Sequence, residues 1–317
     1  MSEAANADLP VVLLTGASGY VGGRLLEPLE RQPVVLRCLA RDPAKLKPRV
    51  KNSTQIVRGD VLDRASLDEA LHGVHTAYYL VHLMNNSKDF EKDDRQAAIH
   101  FADSAKKAGV RRIIYLGGLG NESDANLSPH LRSRHEVGRL LRESGVETVE
   151  FRAGMVIGAG SLSYQLMKSL TDRLPVMICP RWLTTSTQPI AVDDVLAYLL
   201  AARELEAGGS RIFEIGGPDV VTYAGLIREY ARQRGLRRWL IFVPVLTPYL
   251  SGLWLALVTP ATYEIGRHLI EGLKNPTVVR DRSALDAFAV RPLGFAEAIK
   301  RAIEDGSKAT SAPIPCN

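Results

Sequence analysis

Short apolar runs and longer amphipathic stretches alternate through the first half of the chain. Runs over 11–14, 34–40, 55–58, 75–81, 112–116 and 148–152 have the length and apolar character of buried strands. Helix-like stretches over 20–30, 66–71, 90–108 and 129–143 lie between them. In 90–108, Ala97, Ala98, Phe101, Ala102 and Ala105 make one small apolar face, and Gly109 ends the stretch. The stretch 129–143 has Ser128 placed to cap it and Pro129 at its first helical position. This alternation predicts an α/β fold, a Rossmann-like doubly wound parallel sheet. Right-handed crossovers then bring the strand C-terminal ends, and the ligand, to one edge.

After about residue 158 the pattern changes. Helix-like stretches over 161–173, 192–204 and 222–234 are separated by a Pro-rich stretch, 174–182, and a strand-like run, 211–215. The expected organisation is a nucleotide-binding domain over 8–158, with 188–217 returning to it. A smaller, mostly helical substrate-binding part takes 159–187 and 218–310. Residues 307–317 read as a frayed tail.

The first strand-like run stops at a glycine turn that opens a helix. Gly16, Gly19 and Gly22 follow a G-x-x-G-x-x-G spacing. The first glycine lets the chain turn off the strand, the second lets backbone N–H groups approach a pyrophosphate, and the third lets the helix pack close to the sheet. Phosphates then sit at a helix N-terminus, where free donors and the helix dipole favour an anion. Ser18, Tyr20 and Val21 share this turn and join the expected cofactor contacts. The end of the second strand selects the dinucleotide. An acidic residue there binds a ribose hydroxyl, whereas this chain has Arg41, whose planar fork suits a 2′-phosphate, with Lys45 as added charge. NADP(H) is therefore expected over NAD(H), although Asp42 next door is able to take a ribose hydroxyl.

The composition is that of a globular chain: 317 residues, 46% hydrophobic and 24% charged, with a diffuse formal charge of +5. No Lys/Arg block of the nucleic-acid-binding kind is present, so no nucleic-acid partner is expected. Cys38, Cys179 and Cys316 are far apart, in neither metal nor redox spacing, and no metal is expected. The scattered cysteines and the acidic N-terminus, without a signal-peptide pattern, suggest the cytoplasm. One stretch leaves membrane association open. Residues 239–263 contain no charge and follow Arg232, Arg234, Arg237 and Arg238, but Pro244, Pro248 and Pro260 break them up. The stretch reads first as a buried wall of the substrate part, second as a membrane-surface contact over 239–260, and third as a span.

Eight segments carry a wider resemblance: TGASGYVGGRLL (15–26), LARDPAKL (39–46), GDVLD (59–63), AYYLVHLM (77–84), AGVRRIIYLGGLG (108–120), HLRSRHEVGRLLRESG (130–145), FRAGMVIGAGS (151–161) and QPIAVDDVL (188–196). Together they resemble the atypical short-chain dehydrogenase/reductase superfamily, in its NmrA-like and YbjT-like NAD(P)-binding branch. The resemblance implies that Asp60 and Val61 contact the adenine, with a turn or cap residue as the other reading of Asp60. It implies that Leu80, Val81 and His82 stand beside the ribose and nicotinamide, with core packing as their other reading.

The resemblance also implies a Ser and a Y-x-x-x-K pair for hydride chemistry, and here the chain departs. Gly117 and Gly118 stand at the Ser position, and the pair reads His130-x-x-x-Arg134, both on one helix face. His130 is the expected proton donor and Arg134 a group for a ribose hydroxyl or phosphate, unable to relay protons. Tyr78, Tyr79 and Tyr115 are alternative acids by residue type. The leading expectation is an NADP-dependent oxidoreductase that reduces a small apolar carbonyl or activated alkene. The alternative is a non-catalytic NADP(H) sensor or scaffold with a protein partner, as NmrA-like regulators are.

Overall fold

Seven apolar runs assemble into one parallel sheet in the computed structural model, which describes residues 9–83, 89–206, 208–243 and 272–311. The strands in chain order are β1 (Val11–Thr15), β2 (Val35–Ala40), β3 (Gln55–Arg58), β4 (Val74–Tyr79), β5 (Arg112–Gly118), β6 (Glu147–Ala153), β7 (Val156–Ile157), β8 (Val176–Cys179), β9 (Ser186–Thr187), β10 (Ile190–Ala191), β11 (Arg211–Ile215), β12 (Val221–Thr222) and β13 (Trp239–Phe242). The large sheet has the spatial order β3-β2-β1-β4-β5-β6-β11, every neighbouring pair parallel. This is the Rossmann-like doubly wound arrangement expected from the pattern.

Alternation along the strands sorts the core into two layers. Val12 and Leu14 of β1 and Tyr78 of β4 pack with Leu25 and Leu29 of α1 (Tyr20–Glu30). Leu13, Ala77 and Tyr79 face the other way, onto α3 (Arg64–Leu71), α4 (Phe90–Lys107) and α5 (Pro129–Glu143); the four-residue α2 (Pro43–Leu46) follows β2. Ala97, Ala98, Phe101, Ala102 and Ala105 of α4 are all buried, so the small face is the one that meets the sheet. The Ser128 hydroxyl accepts from Leu131 N–H at 3.3 Å, the expected cap of α5.

The second half adds α6 (Leu162–Arg173), α7 (Val192–Ala201), α8 (Tyr223–Gln233), α9 (Ser283–Ala287) and α10 (Phe295–Ser311). It interleaves with the first. β11 returns to the sheet edge beside β6, and α7 packs on the face that carries α1. A third apolar cluster joins α6, α8 and α10 with Met177 and Cys179 of β8. α10 extends through Ser311, into the stretch expected to be frayed. The pairs β7–β10, β8–β13 and β9–β12 have no counterpart in the expected elements, because two to four residues carry no readable period. β13 pairs with β8 and leaves Trp239 71% exposed, so the uncharged stretch does not begin as a buried wall. Its continuation over 244–263 lies outside the described residues. Among the described residues no helix is long and apolar enough to cross a membrane.

Candidate active site

The sheet order reverses at β1, with β2 on one side and β4 on the other, and a crevice opens at the C-terminal ends of these strands. Thr15, the last residue of β1, ties the two sides together. Its hydroxyl donates to the Tyr78 carbonyl at 2.9 Å and accepts from Leu80 N–H at 3.3 Å. Gly16 then turns with φ of 75°, and a Cβ there would lie 2.3 Å from the Leu80 carbonyl oxygen. Only glycine fits both the left-handed backbone and that approach. Gly19 caps α1 without any side-chain hydrogen bond, and no acidic residue stands in the first turn. The helix N-terminus therefore keeps free N–H donors for an anion.

The resulting cleft has a volume of about 190 Å³ and brings together Gly16, Ser18, Gly19, Arg41, Asp60, Val61, Leu80, Val81 and His82. Three of the expected residues stand behind its wall. Gly22 is buried against the turn, where a Cβ would meet the Gly16 carbonyl oxygen at 2.3 Å. Val21 packs against the core. The Tyr20 ring leans on the loop after β7, so close that a Cβ on Gly160 would lie 2.6 Å from it.

Arg41 sits at the β2 end, and no ion pair or hydrogen bond engages it among the described residues. Asp42 is occupied: its Oδ1 accepts from Ala44 N–H at 3.2 Å as the cap of α2, and its Oδ2 lies 3.4 Å from Lys45 Nζ. Asp60 serves its own turn, with Oδ1 accepting from Leu62 N–H at 3.0 Å, while it also lines the cleft. Arg49 was not foreseen. Its guanidinium reaches back to the Ser18 carbonyl at 3.5 Å and brings a second positive charge to the glycine turn.

At the other end of the cleft His82 lines the wall and joins Asp94 and His130 in a row of side chains behind it. His82 Nδ1 lies 2.8 Å from Asp94 Oδ2, and His82 Nε2 lies 3.0 Å from His130 Nδ1. Asp94 is buried and also accepts from the Ser133 hydroxyl at 2.7 Å and from Leu83 N–H at 2.9 Å. Burial pushes the His82 pKa down, only partly opposed by Asp94. For Asp94, burial works upward, but the bonds from His82 and Leu83 and the charge of Arg134 outweigh it and hold the carboxyl below its ordinary range. Asp94 and Ser133 escaped the sequence reading. Asp94 falls one helical turn before Ala97 and Ala98 on the apolar stripe of α4, and that polar intrusion was the available signal.

Arg134 does not reach the cleft as expected. Its guanidinium donates to the Val81 carbonyl at 3.2 Å and to that of Leu116, and it lies over the Tyr115 ring with Cζ 4.8 Å from the centroid. A buried guanidinium needs acceptors, and the free strand-end carbonyls supply them. Tyr78, Tyr79 and Tyr115 are fully buried, with burial raising each phenol, so none presents an acid to the cleft.

Residues 16–181 match the family described as NAD(P)H-binding. The chain belongs to this NAD(P)H-binding family. Among its curated relatives is a (4-alkanoyl-5-oxo-2,5-dihydrofuran-3-yl)methyl phosphate reductase of Streptomyces griseus, 29% identical over 71% of this chain and 74% of the relative. Among solved structures, the NADP(H) complex of a Citrobacter sp. triphenylmethane reductase superposes with a TM-score of 0.74 at 14% identity, covering 92% of this chain and 99% of that one. A UDP-glucose 4-epimerase of Thermotoga maritima gives 0.72 at 14% identity, covering 95% and 100%. At such identities the structures share the fold. The NAD(P)H-binding chain therefore has reductase relatives and the frame of the atypical short-chain dehydrogenases. The features of its own cleft, an uncapped helix end beside glycines without side chains and an Arg41 unpaired among the described residues, fit an anionic dinucleotide.

Proposed function

We propose that the protein is an NADP(H)-dependent reductase of a small apolar carbonyl or activated alkene. The carrying observation is Arg41, a guanidinium at the β2 end of the cleft with no partner among the described residues, beside an Asp42 that caps α2. A ribose hydroxyl would share Asp42 with that cap and with Lys45, whereas a 2′-phosphate finds a cation with no competing partner among the described residues. The glycine turn and the α1 N-terminus hold the pyrophosphate, Asp60 and Val61 face the adenine, and Leu80, Val81 and His82 flank the nicotinamide. The cofactor, when bound, supplies the hydride. The apolar cluster of α6 and α8, with Met155, Leu166, Met167 and Trp182 around a recess, supports an apolar substrate.

The test is a titration with NADPH and NADH, followed by cofactor fluorescence, on the native protein and Arg41→Ala. A charge-assisted phosphate contact is worth about 1.5–3 kcal/mol, so Arg41→Ala should weaken NADPH about 10- to 100-fold and leave NADH unchanged. Equal affinity of the native protein for the two cofactors refutes the NADP(H) assignment. A second reading, a non-catalytic NADP(H) sensor, is favoured by Gly117 and Gly118 at the Ser position and by the commitment of Arg134 to strand-end carbonyls. Tight NADPH binding without consumption in the presence of quinones, aldehydes and enones decides for it.

A further inference from the structure

We infer that the protein carries a second ligand site, at the C-terminal end of β11, that takes a compact organic oxyanion: a carboxylate or a phosphate monoester on an apolar body. A cavity of about 310 Å³ opens there. It shares no residue with the cofactor cleft or with the apolar recess beside α6. In the sheet order β11 stands four strands from β1, so at about 4.8 Å per strand its end lies roughly 19 Å from the glycine turn. Both sites lie on the edge formed by the strand C-terminal ends, where parallel sheets collect their ligands.

Three segments meet around the cavity: the turn after β11, the loop at Gln188 and the stretch 279–292. The turn packs so tightly that a Cβ on Gly217 would lie 2.7 Å from the Pro189 carbonyl oxygen. Gln188 bridges the other two segments, its Nε2 donating to the Gly217 carbonyl at 2.6 Å and its Oε1 accepting from Val279 N–H at 3.0 Å. Glu214 ties in the chain before α9, with Oε2 accepting from Arg280 N–H at 2.6 Å and from Asp281 N–H at 3.1 Å. These polar groups hold the wall in place. Ile215, Leu285 and Pro292 give it an apolar surface.

What the wall leaves unspent is cationic and donating. Arg282 and Arg291 both line the cavity, and neither makes an ion pair among the described residues. Arg291 Nη1 donates to the adjacent Val290 carbonyl at 3.2 Å. Tyr198 of α7 reaches the same cavity from the core. It is 1% exposed, and its hydroxyl makes no hydrogen bond among the described residues. A buried hydroxyl without a partner is costly, and an oxyanion would satisfy it. Burial, with the Asp194 charge, raises the phenol to about 12 against the charge of Arg291, so it remains a donor at neutral pH. Among the described lining residues Glu214 is the one carboxylate, and two guanidinium groups outweigh it. Two guanidinium forks and a phenol beside an apolar wall match an anion with a nonpolar body.

The experiment titrates the full chain with 4-fluorobenzoate, 4-fluorophenyl phosphate and, as a neutral control, 4-fluorobenzamide, followed by fluorine NMR with and without saturating NADPH. Native protein, Arg282→Gln, Arg291→Gln, Tyr198→Phe and Arg211→Gln are compared, each with a thermal melt. Arg211 is exposed at the opposite end of β11 and controls for diffuse charge. At least one anion should bind saturably and more tightly than the amide. A charge-assisted contact is worth about 10-fold, so Arg282→Gln and Arg291→Gln should each weaken the anion by about that factor with Tm unchanged. Tyr198→Phe keeps the ring and should weaken it about 3- to 10-fold. Arg211→Gln and NADPH should change nothing. Binding of the benzoate alone assigns the site to carboxylates, of the phenyl phosphate alone to phosphate monoesters, and of both to either. No saturable binding of either anion by the native protein overturns the site. So does amide binding as tight as that of the anions, displacement of the anion by NADPH, or an affinity that Arg282→Gln and Arg291→Gln leave as it was. The site does not depend on the reductase reading, and none of these outcomes alters that reading.

Discussion

Replacing Gly22 by alanine is the sharpest test of how the glycine turn works. The added Cβ would lie 2.3 Å from the Gly16 carbonyl oxygen, 2.8 Å from its carbon and 3.2 Å from Ala17 N. All three are backbone atoms, so no side chain can swing aside. A real Cβ does not approach closer than about 3.0 Å, so α1 and the turn must separate by at least about 0.7 Å. Overpacking of this kind costs about 1–3 kcal/mol, which for a chain of this size lowers Tm by roughly 2–6 °C. The same displacement carries the free N–H groups of α1 away from the phosphates. NADPH affinity should therefore fall about 10- to 100-fold, more than the loss of stability alone would give at a temperature where the variant is folded. Gly23→Ala is the control on the same helix. Its Cβ would meet Arg49 Nη2 at 2.2 Å, the far end of a flexible side chain, and the Ala17 carbonyl oxygen only at 3.2 Å. Arg49 can move, and alanine is worth about 0.5–1 kcal/mol over glycine within a helix, so Gly23→Ala should hold or raise Tm. Isothermal titration with NADPH and a thermal melt of both variants suffice. Native affinity in Gly22→Ala would refute the claim that close backbone packing sets the phosphate site.

Three further outcomes are expected. Glu150, fully buried and bonded to Arg142 and Arg152, should lose about 3 kcal/mol on change to Gln, because buried guanidinium charge loses its partner; urea denaturation measures it, and an unchanged midpoint refutes it. His82 and His135 both have folded pKa values lowered chiefly by burial, so the unfolded chain binds more protons below about pH 6.5, and the stability they contribute above that pH is lost as pH falls through it. Tm should drop between pH 7.5 and 5.5, at up to about 1.4 kcal/mol per pH unit for each site, and a flat profile refutes the assignment. Burial raises the thiols of Cys38 and Cys179 to about 12 and about 11, so iodoacetamide at pH 8 should leave both unmodified in the native protein, as read by peptide mass.

The parts of the molecule governed by period and by local turn chemistry were legible in the sequence. The strands and α5 fall where alternation, Ser128 and Pro129 place them, and Gly16 occupies the positive-φ turn that its motif demands. What depended on tertiary demand was not legible. Arg134 keeps helical spacing from His130, yet its guanidinium is drawn to strand-end carbonyls because a buried cation must be satisfied. Asp94 interrupts an apolar stripe, and only the folded arrangement shows that His82, itself in contact with His130, meets it. Arg49 reaches the glycine turn from 31 residues away, a separation at which local pattern says nothing.

The return of β11 to the sheet edge makes covalent order and assembly order disagree. β6 ends at Ala153, but the strand that covers its outer edge ends only at Ile215, roughly 60 residues later. At ~5–20 residues per second, a ribosome leaves that edge open for several seconds. During this interval the nascent chain presents a row of unpaired peptide groups flanked by Val149 and Phe151, a template for pairing with another chain. A fragment cut after β7 would live permanently in that state. The glycine turn that opens the chain is made first, but the sheet that holds it is sealed by one of the later strands to be synthesised.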